Sequence, residues 1–228
     1  MPSHVFVVSG CGRSGTGHTA VVLTALGAPC GQAAVFHGGG LGRGERLVWP
    51  KQAAGDAAWF AGPFLGKLPE GSSVVHQVRD PLAVIRSVLR AGLLEPGRAE
   101  RRFAETYVPE LALGGPTVRA MRYWVEWNRM VEAAADYEDL RYRRHRLEDL
   151  DVRGVAELCE FLGLRRSPEV VQRVLDSRPK DLHTRGDKRL DAAVTWESLP
   201  KGALLDELAE MARAYGYEPG RVERLQAG

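Results

Sequence analysis

The residues best suited to bind an anion form a turn near the start of the chain. Its members are Gly12, Arg13, Ser14, Gly15, Thr16, Gly17, His18 and Thr19. An apolar run at residues 5–8 precedes the turn, and a helix-forming run at residues 20–26 follows it. A strand, a glycine-rich turn and a helix in this order bring main-chain N–H groups together around an anion. The sequence therefore predicts a phosphate-binding turn, and the type of phosphate chemistry depends on which of its residues is the working cation.

A second segment with groups that suit a phosphate lies at residues 79–87. Arg79 follows an apolar strand, Pro81 stands where the next helix should begin, and Ser87 lies within that helix. Proline suits the first turn of a helix because its missing N–H is not needed there. Arginine can hold a phosphate through two parallel hydrogen bonds, and a serine hydroxyl adds a further donor.

Length and composition limit the classes of protein that the chain could be. A chain of 228 residues suits one domain, which we expect over residues 1–228. The net charge of +2 does not indicate nucleic acid as a partner, but no acidic residue precedes Glu45, which favours an anionic ligand near the first turn. Cys11, Cys30 and Cys159 lack metal-ligand spacing, so no metal site is expected. With no signal-peptide pattern and no apolar run of roughly 20 residues, we expect a cytoplasmic protein without a membrane span.

The apolar pattern alternates between the periods of strands and helices. Strands are predicted at residues 5–8, 33–37, 73–78 and 141–146, and helices at 20–26, 57–65, 82–91, 116–135, 152–162, 168–175 and 203–215. This alternation predicts an α/β fold in which a mainly parallel sheet is flanked by helices on both faces. A glycine-rich loop at residues 38–44 and a partly helical insertion at 95–115 are candidate lid or substrate segments.

The first turn also fits two other nucleotide-binding patterns. Residues 10–15 match the dinucleotide pattern G-x-G-x-x-G, but residues 31–35 lack the acidic residue that should follow about 20 positions later. Residues 12–19 match the loop of nucleotide kinases except that His18 replaces the lysine. Histidine, with an ordinary pKa of about 6.5, is mostly neutral at pH 7. The absent acid argues against a dinucleotide, whereas a P-loop kinase or NTPase stays open as an alternative.

Taken together, the two segments resemble the donor-binding motifs of the P-loop sulfotransferases, in particular the small bacterial ones. In that family a Lys or Arg precedes Ser-Gly-Thr, as Arg13 does here. An Arg at a strand end and a Ser in the next helix then bind the 3′-phosphate of the donor, as Arg79 and Ser87 would. The resemblance covers most of the chain, is looser outside these two motifs, and implies a three-layer P-loop fold.

The resemblance implies 3′-phosphoadenosine 5′-phosphosulfate (PAPS) as co-substrate and transfer of its sulfuryl group to a hydroxyl or amine. A sulfuryl group carries less negative charge than a terminal phosphoryl group, so fixed cations and N–H groups can serve without a metal. Arg13 would be catalytic, holding the phosphosulfate and stabilising charge on the leaving phosphate. The 5′-phosphate would be bound by the first turn, and the 3′-phosphate by Arg79, Ser87, Arg185 and Gly186.

The general base is less clearly marked in the sequence. Related bacterial enzymes often carry a His-Glu pair where this chain has Gln32-Ala33, and neither of these residues can take a proton. We predict His37 as the catalytic base, with Asp56 and Glu45 as further candidates and His76 as a core residue. The missing pair keeps open a second alternative, a protein that binds the nucleotide without catalysis.

The expected partner is a small-molecule acceptor. Aromatic residues occur in the segments that the fold would place on the acceptor side, where an apolar pocket could form. They are Trp49, Trp59, Phe60, Phe64, Phe103 and Tyr107.

Overall fold

The computed structural model describes residues 5–37, 55–177 and 194–220. Its sheet contains β1 (Phe6–Ser9), β2 (Cys30–Gln32), β3 (Gly55–Ala57), β4 (Ser73–Val78) and β5 (Arg141–Arg146). The strands lie in the order β2-β3-β1-β4-β5, and every neighbouring pair among these five is parallel. The carboxyl ends of all five strands therefore meet at one edge of the sheet.

Helices follow most of the strands. The α-helices of the described residues are α1 (Thr16–Ala25), α2 (Pro81–Ala91), α3 (Ala99–Tyr107), α4 (Pro116–Glu132), α5 (Val152–Phe161), α6 (Pro168–Asp176) and α7 (Ala203–Ala214). Short 3₁₀ helices are found at Trp59–Lys67, Pro109–Ala112, Ala133–Asp136, Leu147–Asp149 and Trp196–Ser198.

The core lies on both faces of the sheet because the strand side chains alternate between them. Phe6 and Val8 of β1 pack with apolar residues of α1, α5 and α6. Val7 packs on the opposite face with residues of α2, α4, α7 and the 3₁₀ helix Trp59–Lys67. The predicted α/β fold, a parallel sheet with helices on both faces, is confirmed.

Two predicted elements near the second strand differ from the structure. The strand expected at residues 33–37 is wrong: β2 occupies Cys30–Gln32, and residues 33–36 bend away from the sheet. The carboxylate of Asp56 causes this bend, because it accepts main-chain N–H bonds from Ala34, Val35 and Phe36 at 3.0–3.1 Å. The prediction also missed β3, a three-residue strand with small residues at both ends.

The remaining helices and strands agree with the predictions to within a few residues, and α2 begins at Pro81 as expected. The segment at 57–65 is helical but 3₁₀, with Pro63 inside it. The insertion at residues 95–115 is partly helical, containing α3 and a 3₁₀ turn. The glycine-rich loop at 38–44 lies outside the described residues, so its role, like the single-domain assignment, stays a prediction.

Candidate functional site

The turn between β1 and α1 is held in an unusual backbone conformation at the carboxyl edge of the sheet. A β-carbon on Gly10 would lie 1.9 Å from the Gln77 carbonyl oxygen, so only glycine fits there. Gly15 has a φ of 86° and Arg13 a φ of 78°, both in the left-handed region. A non-glycine residue in this region carries strain of the order of 1 kcal/mol, and such strain often accompanies a functional site.

One set of residues in the turn faces the protein core. The Gly12 N–H donates to the Tyr123 hydroxyl at 2.6 Å, and the Thr19 hydroxyl donates to Gln77 Oε1 at 2.8 Å. The Ser14 hydroxyl lies 2.9 Å from Cys11 Sγ, and burial raises the pKa of that thiol to about 12. These contacts fasten the turn to the core, and the predicted donor-binding role of Gly12, Ser14 and Thr19 stays a prediction.

A second set of residues faces the open edge of the sheet. Arg13 is exposed, and Gly15, Thr16, Gly17 and His18 are half-buried. Gly15 is the N-cap of α1 and provides no side-chain cap.

The N–H groups of His18 and Thr19 donate to the Gly15 carbonyl at 2.9 and 3.2 Å. Because the first N–H groups of a helix have no partner within it, those of Thr16 and Gly17 are the ones presented to an anion.

The second predicted segment comes directly against the first turn. Arg13 Nε donates to the Ser87 hydroxyl at 2.9 Å across 74 residues of sequence. Arg79 Nη1 donates to the Arg13 carbonyl at 3.2 Å across 66 residues. The carboxyl ends of β1 and β4 are adjacent, so the structure brings Arg13, Arg79 and Ser87 together.

The charges at this edge are mostly positive. No ion pair with a carboxylate involves Arg13 or Arg79 within the described part of the chain. Asp80, the neighbour of Arg79, instead caps α2 by accepting from the Ala83 N–H at 2.7 Å. The pKa of Arg13 is lowered by burial and then by the charges of Arg79 and Arg90.

Arg90 was not singled out from the sequence. It follows Ser87 by three residues, which is nearly one helical turn, so this spacing was the signal available.

The base candidates His37 and Asp56, and the predicted core residue His76, occupy different environments. His37 is exposed and is the last described residue before the gap at 38–54, which contains Glu45. Asp56 is fully buried, and its carboxylate already accepts the three N–H bonds of the 33–36 bend. His76 is also fully buried, and its pKa is lowered to about 3 chiefly by burial, so it is neutral at pH 7. Asp56 and His76 therefore organise the structure, and His37 stays the predicted base.

Gln32 lies beside the first turn. A β-carbon on Gly17 would be 3.2 Å from Gln32 Oε1, which places the Gln32 amide at the N-terminus of α1. The Gln32 amide thus lies beside the predicted anion site, although an amide cannot accept a proton at neutral pH.

Aromatic side chains cover the side of the turn that faces α4. The Trp59 ring approaches Gly12, since a β-carbon there would lie 3.4 Å from Trp59 Cγ. Trp59 stacks with Phe60 at 4.0 Å between centroids, and both rings contact Phe103 of α3. Phe64 and Tyr107 extend the same cluster, whereas Trp49 lies outside the described residues.

Within residues 5–37, 55–177 and 194–220, no group of three or more His, Cys, Asp or Glu side chains could hold a metal ion. In the same residues, no helix is long and apolar enough to cross a membrane. The predicted ligands Arg185 and Gly186 fall in the stretch 178–193, which the structure does not describe.

No family model matches the sequence, and no curated protein matches it. Solved structures do resemble it. The sulfotransferase domain of the Synechococcus PCC 7002 olefin synthase aligns with a TM-score of 0.54 and 19% identity, over 95% of this chain and 96% of that one. The sulfotransferase domain of the curacin biosynthetic pathway aligns with a TM-score of 0.57 and 16% identity, over 96% and 99%.

A retinol dehydratase, solved with retinol and PAP (3′-phosphoadenosine 5′-phosphate), aligns with a TM-score of 0.46 and 16% identity, over 97% of this chain and 83% of that one. The likeness to the first two structures concerns the arrangement of the backbone over nearly the whole chain. On that ground, the chain has the fold of a sulfotransferase domain.

Proposed function

We propose that this protein is a sulfotransferase that moves a sulfuryl group from PAPS to a hydroxyl or amine of a small-molecule acceptor. The observation that carries the proposal is the contact of Arg13 with Ser87 and Arg79, beside the uncapped N-terminus of α1. Two separate segments with anion-binding groups suit a donor that has phosphate groups at two separate positions.

The two segments divide the donor between them. Open N–H groups at the start of α1 suit the 5′-phosphosulfate, because a helix N-terminus favours negative charge. Arg79 and Ser87 suit the 3′-phosphate, since a guanidinium and a hydroxyl both donate hydrogen bonds to phosphate oxygens. Arg13 bonds to Ser87 and lies between the two segments. Arg185 and Gly186 complete the predicted set of donor-binding residues.

The transfer is a single displacement at sulfur. The acceptor oxygen or nitrogen forms a bond to sulfur while the bond between sulfur and the bridging oxygen breaks. That oxygen leaves with the electron pair on the 5′-phosphate of 3′-phosphoadenosine 5′-phosphate (PAP), and the acceptor proton passes to a base. Arg13 and the N–H groups of the turn stabilise the leaving charge, a kind of interaction that is worth about 10²–10³ in rate.

His37 is the base that we propose. It is exposed, and it follows the carboxyl end of β2 by five residues. Histidine is the side chain whose ordinary pKa best suits proton transfer near pH 7. Loss of transfer in His37→Ala, with PAP affinity unchanged, is the expected result; full activity in this variant contradicts the assignment.

The proposal is tested by the binding of two matched nucleotides. PAP and adenosine 5′-phosphate (AMP) differ only in the 3′-phosphate. We expect PAP to raise the melting temperature clearly more than AMP does, with EDTA present. Equal shifts, or stabilisation by ATP only with magnesium, would contradict a PAPS site and favour the kinase alternative suggested by residues 12–19.

Binding of PAP without transfer to any of a panel of alcohols, phenols and amines would favour the non-catalytic alternative. The occupied Asp56 carboxylate and the amide at Gln32 are the observations behind that alternative. Cytoplasmic location and the absence of nucleic acid as a partner belong to the same proposal. Cell fractionation and a gel-shift assay test them.

A further inference from the structure

Helix α4 passes directly behind both phosphate-binding segments. Three of its side chains, Tyr123, Trp124 and Asn128, are fully buried and carry polar atoms. Buried polar atoms need hydrogen-bond partners, since an unsatisfied one costs about 1–3 kcal/mol. The partners that these three residues find lie in the first turn, in the Arg79 segment and in β4 between them.

Tyr123 and Trp124 each bond to the main chain of one segment. The Tyr123 hydroxyl accepts the Gly12 N–H at 2.6 Å, and burial raises the pKa of this phenol, so it remains neutral. The Trp124 indole donates to the carbonyl of Arg79 at 3.1 Å. Adjacent residues of one helix thus fix the backbone next to Arg13 and the backbone of Arg79 itself.

Asn128 adds a third link one helical turn further on. Its Nδ2 donates to Cys11 Sγ at 3.9 Å, and its Oδ1 lies 3.1 Å from His76 Nε2. Because Asn128 Oδ1 is an acceptor, the neutral His76 carries its proton on Nε2 and accepts from the Tyr142 hydroxyl at Nδ1, 2.7 Å away. The Cys11 sulfur in turn contacts the Ser14 hydroxyl, so the link reaches the turn.

We propose that Tyr123 and Trp124 are positioning residues that set the distance between the phosphosulfate turn and the 3′-phosphate segment. The inference rests on the proposed function, because the two segments need this spacing only if one donor molecule bridges them. Tyr123 acts through Gly12 on the 5′ end of the donor. Trp124 acts through Arg79 on the 3′-phosphate.

The same chain provides a matched control for each residue. Trp127 is a fully buried tryptophan of α4 whose indole donates to the carbonyl of Trp59 at 2.9 Å, outside both phosphate segments. Tyr215 is a buried tyrosine whose hydroxyl donates to Glu132 Oε2 at 2.9 Å. Each control loses the same atoms as its partner when it is replaced by phenylalanine.

Calorimetric titration of the four purified variants with PAP and AMP tests the inference. We expect Trp124→Phe to weaken PAP about fivefold and AMP less than twofold, which lowers the discrimination between them. We expect Tyr123→Phe to weaken both nucleotides by about the same factor, and Trp127→Phe and Tyr215→Phe to leave both affinities within twofold. The melting temperature should fall by a similar amount in Trp124→Phe and Trp127→Phe, and likewise in Tyr123→Phe and Tyr215→Phe. A loss of stability alone therefore does not produce the expected differences in affinity.

One result would overturn both the proposed function and the inference, and another would overturn the positioning role alone. If the wild-type protein binds PAP no better than AMP, the proposed function fails, and the inference fails with it. If the wild-type protein prefers PAP but Trp124→Phe and Trp127→Phe change its affinity equally, the proposed function stands and the positioning role is wrong. Should Trp124→Phe not fold, the affinities of Tyr123→Phe and Tyr215→Phe are compared instead, and equal affinities in that pair overturn the inference.

Discussion

Two groups of arginines, one at the carboxyl edge of the sheet and one on β5, have different surroundings. At the carboxyl edge of the sheet, Arg13 and Arg79 contact a serine hydroxyl and a main-chain carbonyl. On β5, the last strand of the sheet, Arg143 pairs with Glu157 at 2.6 Å and Arg144 with Glu132 at 2.7 Å. Arg13 and Arg79 form no ion pair within the described residues, whereas carboxylates of the fold neutralise Arg143 and Arg144.

The remaining contacts of β5 support this contrast. Arg141 lies over the Phe161 ring at 4.9 Å and donates to the Phe161 carbonyl, and Arg146 lies over Tyr217 at 4.5 Å. In such contacts the guanidinium packs against an aromatic ring, and its N–H groups can donate to main-chain carbonyls. Among the described residues, a positive charge in the sequence therefore favours an anion site only where no ion pair compensates it.

The largest effect is expected from removing the charge at the turn. Arg13→Ala should lower the rate of sulfuryl transfer by about 10²–10³, because a donor to the developing charge is lost. Arg13 is exposed, so the melting temperature of the free protein should change little. Initial rates with saturating PAPS measure the effect. Arg13→Lys keeps the positive charge but not the planar guanidinium, so its rate should lie between those of the wild-type protein and Arg13→Ala. A rate in Arg13→Ala close to wild type would remove Arg13 from the catalytic machinery.

The next effect concerns the 3′-phosphate. Arg79→Ala should weaken PAP binding about tenfold to a hundredfold, since a charge-assisted hydrogen bond contributes roughly 1.5–3 kcal/mol. AMP, which lacks the 3′-phosphate, should bind as it does to the wild-type protein. Titration calorimetry with both nucleotides measures the difference. Equal losses for PAP and AMP would mean that Arg79 does not distinguish the 3′-phosphate.

A third prediction concerns β4, which lies between the two arginine regions. His76 stands in register with Arg144 and keeps a pKa of about 3 in the folded protein. An unfolded histidine takes up its proton below about pH 6.5, so the unfolded state binds more protons between these two values. The free energy of unfolding should therefore fall as the pH drops below 6.5.

Urea denaturation at pH 7 and pH 5 measures this loss. His76 should account for about 2 kcal/mol of it, because each pH unit is worth about 1.4 kcal/mol per proton. In His76→Gln the decrease between the two pH values should be smaller by that amount. An unchanged decrease would show that His76 is not held neutral in the core.

The smallest effect is expected on β5. Arg144→Ala should lower the free energy of unfolding by about 1 kcal/mol, through loss of the Glu132 pair and of the contact with the Tyr215 ring at 4.3 Å. PAP affinity should stay within twofold of wild type, because this charge is already compensated. A tenfold loss of PAP affinity would erase the contrast between the two arginine regions.

The sequence predicted both phosphate-binding segments but not how their residues are used. The strand, turn and helix around Arg13, and Pro81 after Arg79, follow from local patterns that a few neighbouring residues determine. The orientation of each side chain in the turn does not, because it depends on Tyr123, Gln77 and other partners more than fifty residues away. That Gly12, Ser14 and Thr19 also bond within the fold could not be read from the sequence, and their donor-binding role stays a prediction.

The error at the second strand has a similar origin. Residues 33–37 are apolar enough for a strand, but the buried Asp56 carboxylate attracts three of their N–H groups and bends them. Asp56 lies about twenty residues further on, in a strand too short to be recognised from its own pattern. The pattern of residues 33–37 contains no signal of a carboxylate that belongs to another strand.

The sequence by itself determined the α/β fold class and the order of most elements, and it predicted two segments that would bind phosphate. Alternating periods of hydrophobicity and glycine or proline at the element ends are local properties. Only the tertiary structure decided which arginines form ion pairs among the described residues, which turn residues face the edge, and that α4 contacts both segments. These depend on contacts across the parallel sheet, where residues 66 and 74 positions apart become hydrogen-bonded neighbours.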